Sequence, residues 1–118
     1  METANPYQSY RDTQIETADQ LTLVLMLYDG ALKFMSQGRK AILEDDIAEA
    51  NRCLGRAQDI ISELMGSVNP HLKNVAVNLY NLYDYIYYLL LEANIKKDAE
   101  TVAKAEELLM SMREVWKK

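Results

Sequence analysis

The chain has 118 residues, of which 49% are hydrophobic and 26% are charged, and its formal net charge is −5. This length and composition favour one globular domain over residues 1–118 and exclude a disordered chain. Because Lys and Arg are scattered rather than clustered, the charge pattern argues against nucleic acid as a partner, since binding it needs concentrated positive charge.

The N-terminal segment, residues 1–16, is mostly polar, contains Pro6 and shows no helical periodicity. Its apolar side chains are Tyr7, Tyr10 and Ile15. A segment with so few apolar positions cannot supply the stripe that a helix needs in order to pack against other helices. We therefore expect residues 1–16 to form an irregular arm.

Four helices are predicted after the arm, over residues 17–43, 46–66, 69–94 and 98–117. Each starts at a residue whose side chain can accept hydrogen bonds from the first turn: Thr17, Asp46, Asn69 and Asp98. The first two are followed three residues later by Gln or Glu, which is the spacing of a capping box. Asn69 is followed by Pro70, a residue favoured at the first helical position.

Apolar residues recur within these segments at alternating steps of three and four, which is typical of helices packed in a bundle. The predicted seam of the third helix consists of Leu72, Val75, Leu79, Leu82, Ile86, Leu89 and Ala93. Connections of a few residues place consecutive helices antiparallel. The sequence therefore predicts an all-α fold, an antiparallel four-helix bundle with an irregular N-terminal arm.

Two segments carry more apolar surface than such a bundle needs. Five tyrosines lie within nine residues of the third helix, at positions 80, 83, 85, 87 and 88. At about 100° per residue, Tyr83 lies at the edge of the seam, Tyr80 and Tyr87 lie on one flank, and Tyr88 lies nearly opposite. In the first helix, the run Leu23–Tyr28 is apolar on every side and must be covered by something.

The residues that could form a metal site or a catalytic site do not show the pattern that such a site needs. His71 is the sole histidine, and the residue three before it is Val68, so the Glu-x-x-His pattern of a bundle metal site is missing. Cys53, the sole cysteine, fits a small packed residue better than a nucleophile. We expect no enzyme, no metal and no cofactor; an anion-binding enzyme that uses Arg39 is the remaining alternative. The run Leu23–Tyr28 is too short to span a bilayer, and no signal peptide is recognised, so we expect no membrane insertion.

Four stretches resemble the family of the flagellar secretion chaperone FliS: "NPYQSYRDTQIETA", "LMLYDGALKF", "YDYIYYLLLEANIKKD" and "REVW". One departure lies at the start of the first helix, where Asp19, Gln20 and Thr22 replace the Ser-Pro type of start that is usual in the family. The resemblance implies a cytoplasmic, non-enzymatic chaperone with a helical-bundle fold. It also implies that the chaperone binds the disordered C-terminal segment of flagellin, prevents premature polymerisation and helps to deliver it to components of the flagellar export gate.

The tyrosine surplus and the resemblance together suggest where a client would bind. We expect client contacts at Tyr80, Tyr83, Tyr87, Tyr88 and Tyr28. We also expect the arm to cover the groove when no client is present, with a plug formed by Tyr7, Tyr10 and Ile15. The alternative is a helical-bundle interaction protein without a flagellin client, which buries the same surplus in a homodimer; a weak homodimer is also compatible with a chaperone.

Overall fold

The computed structural model describes residues 18–69, 71 and 74–117. Its helices are α1 (Ala18–Leu43), α2 (Ile47–Gly66), α3 (Asn74–Lys96) and α4 (Ala99–Lys117). Each helix packs against the next, and α4 packs against α1 to close the bundle. The all-α four-helix bundle predicted from the sequence is confirmed. The predicted arm, residues 1–16, lies outside the described residues, as does Thr17.

Two ion pairs fix the direction of α4 against α1. Asp29 pairs with Arg113, and Arg39, ten residues further along α1, pairs with Glu106, which precedes Arg113; both N–O distances are 2.6 Å. As the residue number increases along α1, the number of the partner residue in α4 decreases. The two helices are therefore antiparallel. At the other side of the bundle, the Lys97 ammonium donates to Asn51 Oδ1 over 2.8 Å and places the end of α3 beside the start of α2.

Asp46 and Asp98 cap α2 and α4 as the sequence predicts. The Asp46 carboxylate accepts from the backbone N–H of Glu49 over 3.2 Å, and the Asp98 carboxylate accepts from the N–H of Glu100 over 3.0 Å. Only half of the predicted capping box forms at α2. The Glu49 carboxylate binds Arg52 over 2.8 Å, and the Asp46 N–H donates instead to the carbonyl of Ala41.

Among the described residues, the third helix starts later than the sequence predicts. Asn69 does accept a hydrogen bond in the manner of a cap, from the N–H of His71 over 2.9 Å, but His71 lies in a 3₁₀ turn. The α-helix begins at Asn74. A side chain that caps the N–H two residues ahead forms a local turn equally well, which is why Asn favours both caps and turns.

The core draws side chains from all four helices, among them Met35, Leu54, Ile61, Ile86, Leu90, Val102 and Leu109. In α3, however, the buried stripe differs from the predicted seam. Val75 and Leu82 are exposed, whereas their neighbours Ala76 and Tyr83 are buried. Ile86, Leu89 and Ala93 of the predicted seam remain buried, so the two stripes differ only in the first half of α3, where adjacent apolar residues compete for the core. The observed register is the one that buries Tyr83.

A hydrogen bond across the bundle accompanies this register. Among the described helices, α1 and α3 are not neighbours, yet the hydroxyl oxygens of Tyr28 in α1 and Tyr83 in α3 lie 2.6 Å apart. Their rings meet edge to face, with centroids 6.2 Å apart and planes at 72°, a geometry that aromatic rings favour. Two tyrosines thus span the core between helices that do not otherwise pack together.

Candidate functional site

The outward side of α3 carries a row of exposed apolar side chains. Tyr80, Tyr88 and Leu91 are 47%, 54% and 42% exposed. They belong to an outer stripe whose members follow the same three-and-four spacing as the core: Val77, Tyr80, Asp84, Tyr88, Leu91 and Ile95. From Val77 to Ile95 this outer stripe is about 27 Å long, at 1.5 Å per residue. α3 therefore presents one apolar stripe to the core and a second one, interrupted by Asp84, to the outside.

Two depressions flank the outer stripe. The α2–α3 groove lies between the end of α2 and the start of α3, and its lining residues are Met65, Gly66, Val68, Ala76, Val77, Tyr80 and Asn81. The α3 pocket lies further along the helix, with Asn81, Asp84, Tyr85, Tyr87, Tyr88 and Leu91 as its lining. Because Asn81 belongs to both, the groove and the pocket adjoin.

A third depression, the end cleft, opens where α1 begins and α4 ends. Its volume is about 350 Å³, and its described lining residues are Gln20, Leu21, Val24, Ser67, Val68, Asn69, Leu79, Tyr83 and Trp116. Val68 also lines the α2–α3 groove. The end cleft, the groove and the pocket therefore form one continuous surface, which passes from the end of the bundle onto the outer side of α3.

The structure divides the five tyrosines that the sequence analysis assigned to a client. Tyr80 and Tyr88 are exposed on the outer stripe. Tyr87 is half-buried and packs against the core while lining the α3 pocket. Tyr28 and Tyr83 are core residues, 0% and 2% exposed, so the client contacts expected there do not lie on the surface of the free protein. The cause is the register of α3, which turns Tyr83 inward to meet Tyr28. Tyr7, Tyr10 and Ile15, the predicted plug, lie outside the described residues.

Tyr28 and Tyr83 belong to a hydrogen-bonded group at the inner end of the cleft. The indole N–H of Trp116 donates to the Tyr28 hydroxyl over 2.9 Å, and that hydroxyl also bonds to Tyr83. Burial raises the pKa of both tyrosines because the ionised form would lose its hydration. Both hydroxyls therefore keep their protons at physiological pH, and the group acts through hydrogen bonds rather than charge.

The residues that the sequence offers for catalysis, Cys53 and Arg39, have structural roles. Cys53 is buried, and loss of hydration raises the pKa of its thiol, which disfavours the thiolate that a nucleophile needs. The Arg39 guanidinium binds Glu106 through two nitrogens. Among the described residues, no group of His, Cys, Asp and Glu could hold a metal ion. None of the described helices is both long and apolar enough to cross a membrane.

Sequence reasoning missed the end cleft. Val24 belongs to the apolar run Leu23–Tyr28, whose cover the sequence does not reveal, and Leu21 and Trp116 lie outside the residues predicted to contact a client. These residues meet only because the ends of three helices and the segment after α2 converge at one end of the bundle. One signal was available, since an aromatic residue with a polar tip in the last turn of a helix often lies at a wet edge.

Comparison of the sequence with known proteins identifies its family. A sequence profile of the family described as "Flagellar protein FliS" matches residues 3–118. The chain belongs to the FliS family. It is 38% identical to the flagellar secretion chaperone FliS of Bacillus subtilis, with 96% of this chain and 84% of the relative covered. It is 31% identical to the protein of the same name from Salmonella typhimurium, with 99% of this chain and 91% of the relative covered.

Proposed function

We propose that this protein is a flagellar secretion chaperone that binds the disordered C-terminal segment of flagellin, prevents its premature polymerisation and assists its delivery to the export gate. The observation that carries the proposal is the continuous surface of the end cleft, the α2–α3 groove and the α3 pocket. Membership of the FliS family supports it, since the relatives in Bacillus subtilis and Salmonella typhimurium bear the name flagellar secretion chaperone.

The outer stripe has the form that an amphipathic client requires. A segment that buries apolar side chains in an assembled filament needs temporary cover before assembly, and a groove beside a helix offers that cover. Tyr80 and Tyr88 are exposed in the free protein. Tyrosine suits such a surface because it gives a large contact area at low entropic cost and tolerates water when no client is bound.

The proposal needs no catalytic group, metal or cofactor, since the chaperone acts by covering its client. The proposal implies that the protein acts in the cytoplasm, where flagellin is made. No observation on the described residues supports the alternative, a homodimer without a flagellin client. Tyr28 is not retained as a direct client contact, because it is fully buried, whereas Tyr83 borders the end cleft. The proposed contacts on the outer side of α3 are Tyr80, Tyr87 and Tyr88.

We also propose that the arm, residues 1–16, covers part of this surface when no client is bound. Support comes from where the described chain begins: α1 starts at Ala18, and Gln20 and Leu21 line the end cleft. The preceding residues are thus tethered beside the cleft, and a short tether gives a segment a high effective concentration there. Cover would also protect the exposed apolar side chains from aggregation.

Binding to flagellin with and without its C-terminal segment tests the function. Isothermal titration with the flagellin of the same organism should give a saturable complex, and removal of the C-terminal segment should abolish it. Light scattering on the isolated protein distinguishes the alternative. A tight homodimer that excludes flagellin would contradict the proposal, as would equal binding of the full-length and truncated flagellins.

A further inference from the structure

The group formed by Tyr28, Tyr83 and Trp116 contains more hydrogen-bond donors than it can use. It has three donors, namely two phenolic O–H groups and one indole N–H. Trp116 uses its N–H on the Tyr28 oxygen. Only one proton can lie between the two phenolic oxygens, which are 2.6 Å apart. One phenolic O–H therefore has no acceptor among the described residues.

The position of the unpaired O–H follows from burial. If Tyr83 donated to Tyr28, then Tyr28 would accept two hydrogen bonds and its own proton would be unpaired at a fully buried oxygen, which is strongly unfavourable. If Tyr28 donates to Tyr83, the unpaired proton belongs to Tyr83. Tyr83 lines the end cleft, whereas Tyr28 does not. The second arrangement is favoured, since it places the unpaired donor where an occupant of the cleft can accept it.

The described lining of the end cleft limits the chemistry of that occupant. Its walls are apolar at Leu21, Val24 and Leu79, and its polar groups are the uncharged side chains of Gln20 and Asn69 among others. No described lining residue carries a charge, so a carboxylate would lose its hydration without gaining a cationic partner. An uncharged acceptor between apolar side chains matches this lining. The main-chain carbonyl of a peptide is such a group.

We propose that the end cleft binds an extended stretch of the client chain and that the Tyr83 hydroxyl donates a hydrogen bond to a main-chain carbonyl of that stretch. The inference rests on the proposed function and adds a client-binding residue to it. Continuity supports the choice of the client as occupant, since the cleft shares Val68 with the α2–α3 groove. A client on the outer side of α3 can therefore extend into the cleft without leaving the surface.

The matched variants Tyr83→Phe and Tyr28→Phe test the proposal. Each removes one hydroxyl from the group, so both should lower the melting temperature, but only Tyr83→Phe removes the donor for the client. The probe is a synthetic peptide of the flagellin C-terminal segment, titrated where circular dichroism shows all the proteins fully folded. We expect Tyr83→Phe to weaken peptide binding about three- to tenfold, as for one hydrogen bond, and Tyr28→Phe to leave it within about twofold.

Two further measurements identify the cleft and the acceptor. Trp116 is the only tryptophan and lines the cleft, so peptide binding should change its fluorescence emission. Peptides in which a single amide is replaced by an ester carry a weaker carbonyl acceptor. At one position, this replacement should weaken binding to the wild type but not to Tyr83→Phe, and the double-mutant cycle isolates that coupling.

The outcomes separate this inference from the proposed function. A peptide that does not bind the wild-type protein would contradict the function itself. A peptide that binds without changing Trp116 emission, or that binds equally to wild type and Tyr83→Phe, would overturn the role of Tyr83 and leave the chaperone function standing. Equal weakening by Tyr28→Phe and Tyr83→Phe would assign the hydroxyls a structural role only.

Discussion

Gly38 in α1 lies so close to Leu54 in α2 that a Cβ atom at Gly38 would be 2.7 Å from Leu54 Cδ2 and 2.9 Å from its Cγ. Real Cβ atoms do not approach other carbon atoms so closely, so a larger residue would force Leu54 to move. Leu54 is fully buried in the core. The absence of a side chain at Gly38 therefore sets how closely α1 and α2 pack.

Gly38→Ala should destabilise the protein. Forcing an extra carbon into a packed interface costs about 1–3 kcal/mol, which exceeds the gain of about 1 kcal/mol from replacing Gly by Ala in a helix. Gly55 in α2 is the matched control, because a Cβ there meets no atom within 4 Å. Thermal denaturation should show a lower melting temperature for Gly38→Ala and a higher one for Gly55→Ala. A rise for both variants would mean that Leu54 moves aside without cost.

The sequence was sufficient to predict the number of helices and the caps at Asp46 and Asp98. These features depend on local spacing, and few alternatives satisfy the same spacing. The register of α3 was not predictable in this way, because Leu82 and Tyr83 are both apolar and either could face inward. The choice depends on a partner 55 residues away, the hydroxyl of Tyr28, which no local pattern reveals.

The candidate site was predictable only in part. The surplus of tyrosines correctly indicated exposed aromatic surface on α3, since Tyr80 and Tyr88 are exposed there. The end cleft was missed, because Leu21, Val68 and Trp116 come from distant parts of the chain. Only the assembled bundle brings them together, and the sequence contains no spacing that relates them.

Ile86→Ala and Leu82→Ala test the register of α3. Ile86 is fully buried, whereas Leu82 is 39% exposed. Truncating Ile86 should lower the free energy of unfolding by about 2–5 kcal/mol, because it leaves a cavity in the core. Truncating Leu82 should cost clearly less, since much of its side chain is already in water. Urea denaturation measures both values, and an equal loss would favour the register in which Leu82 belongs to the core.

Tyr88→Ala tests the outer stripe as a client surface. The residue is 54% exposed, and its hydroxyl bonds to the half-buried side chain of Glu92 over 3.1 Å, so stability should hardly change. Client binding should weaken by about 1–3 kcal/mol, the effect of losing an aromatic anchor. Met110→Ala is the control, because Met110 is 56% exposed on α4, away from the stripe. Isothermal titration with flagellin should separate the two variants; equal affinities would exclude Tyr88 as an anchor.

Asp98 should make the stability of the bundle depend on pH in the acid range. The hydroxyl of Thr101 donates to its carboxylate over 2.9 Å, and this bond above all lowers the pKa of Asp98 below its ordinary value. A lowered pKa in the folded state gives stability that is present above the unfolded pKa of about 3.9 and is lost as the pH falls through the folded pKa.

The variant Asp98→Asn isolates that effect, because Asn is also a good N-cap but does not titrate. Melting temperatures measured from pH 7 to pH 2.5 should show the advantage of the wild type over Asp98→Asn shrinking below about pH 4. Other carboxylates titrate in the same range in both proteins, so the difference reports Asp98 alone. A gap that stays constant over the whole range would show that the cap does not depend on the charge.

Deleting residues 1–14 tests the proposed cover of the end cleft by the arm, and the deletion spares the predicted cap at Thr17. A cleft that the arm covers for about nine-tenths of the time would bind its client about tenfold more tightly once the arm is removed, because only the uncovered fraction is competent to bind. The deletion should also increase self-association and change the emission of Trp116, which lines the cleft.

A full-length variant with Tyr7, Tyr10 and Ile15 replaced by Ser keeps the arm but removes its apolar side chains, and it controls for the loss of chain length. If those side chains form the plug, this variant should match the deletion in flagellin-peptide affinity and in Trp116 emission. An arm that acts only by excluded volume would leave the Ser variant equal to the wild type. Unchanged affinity and emission in both variants would show that the arm does not reach the cleft. The protein would then have to remain soluble with the outer stripe of α3 uncovered.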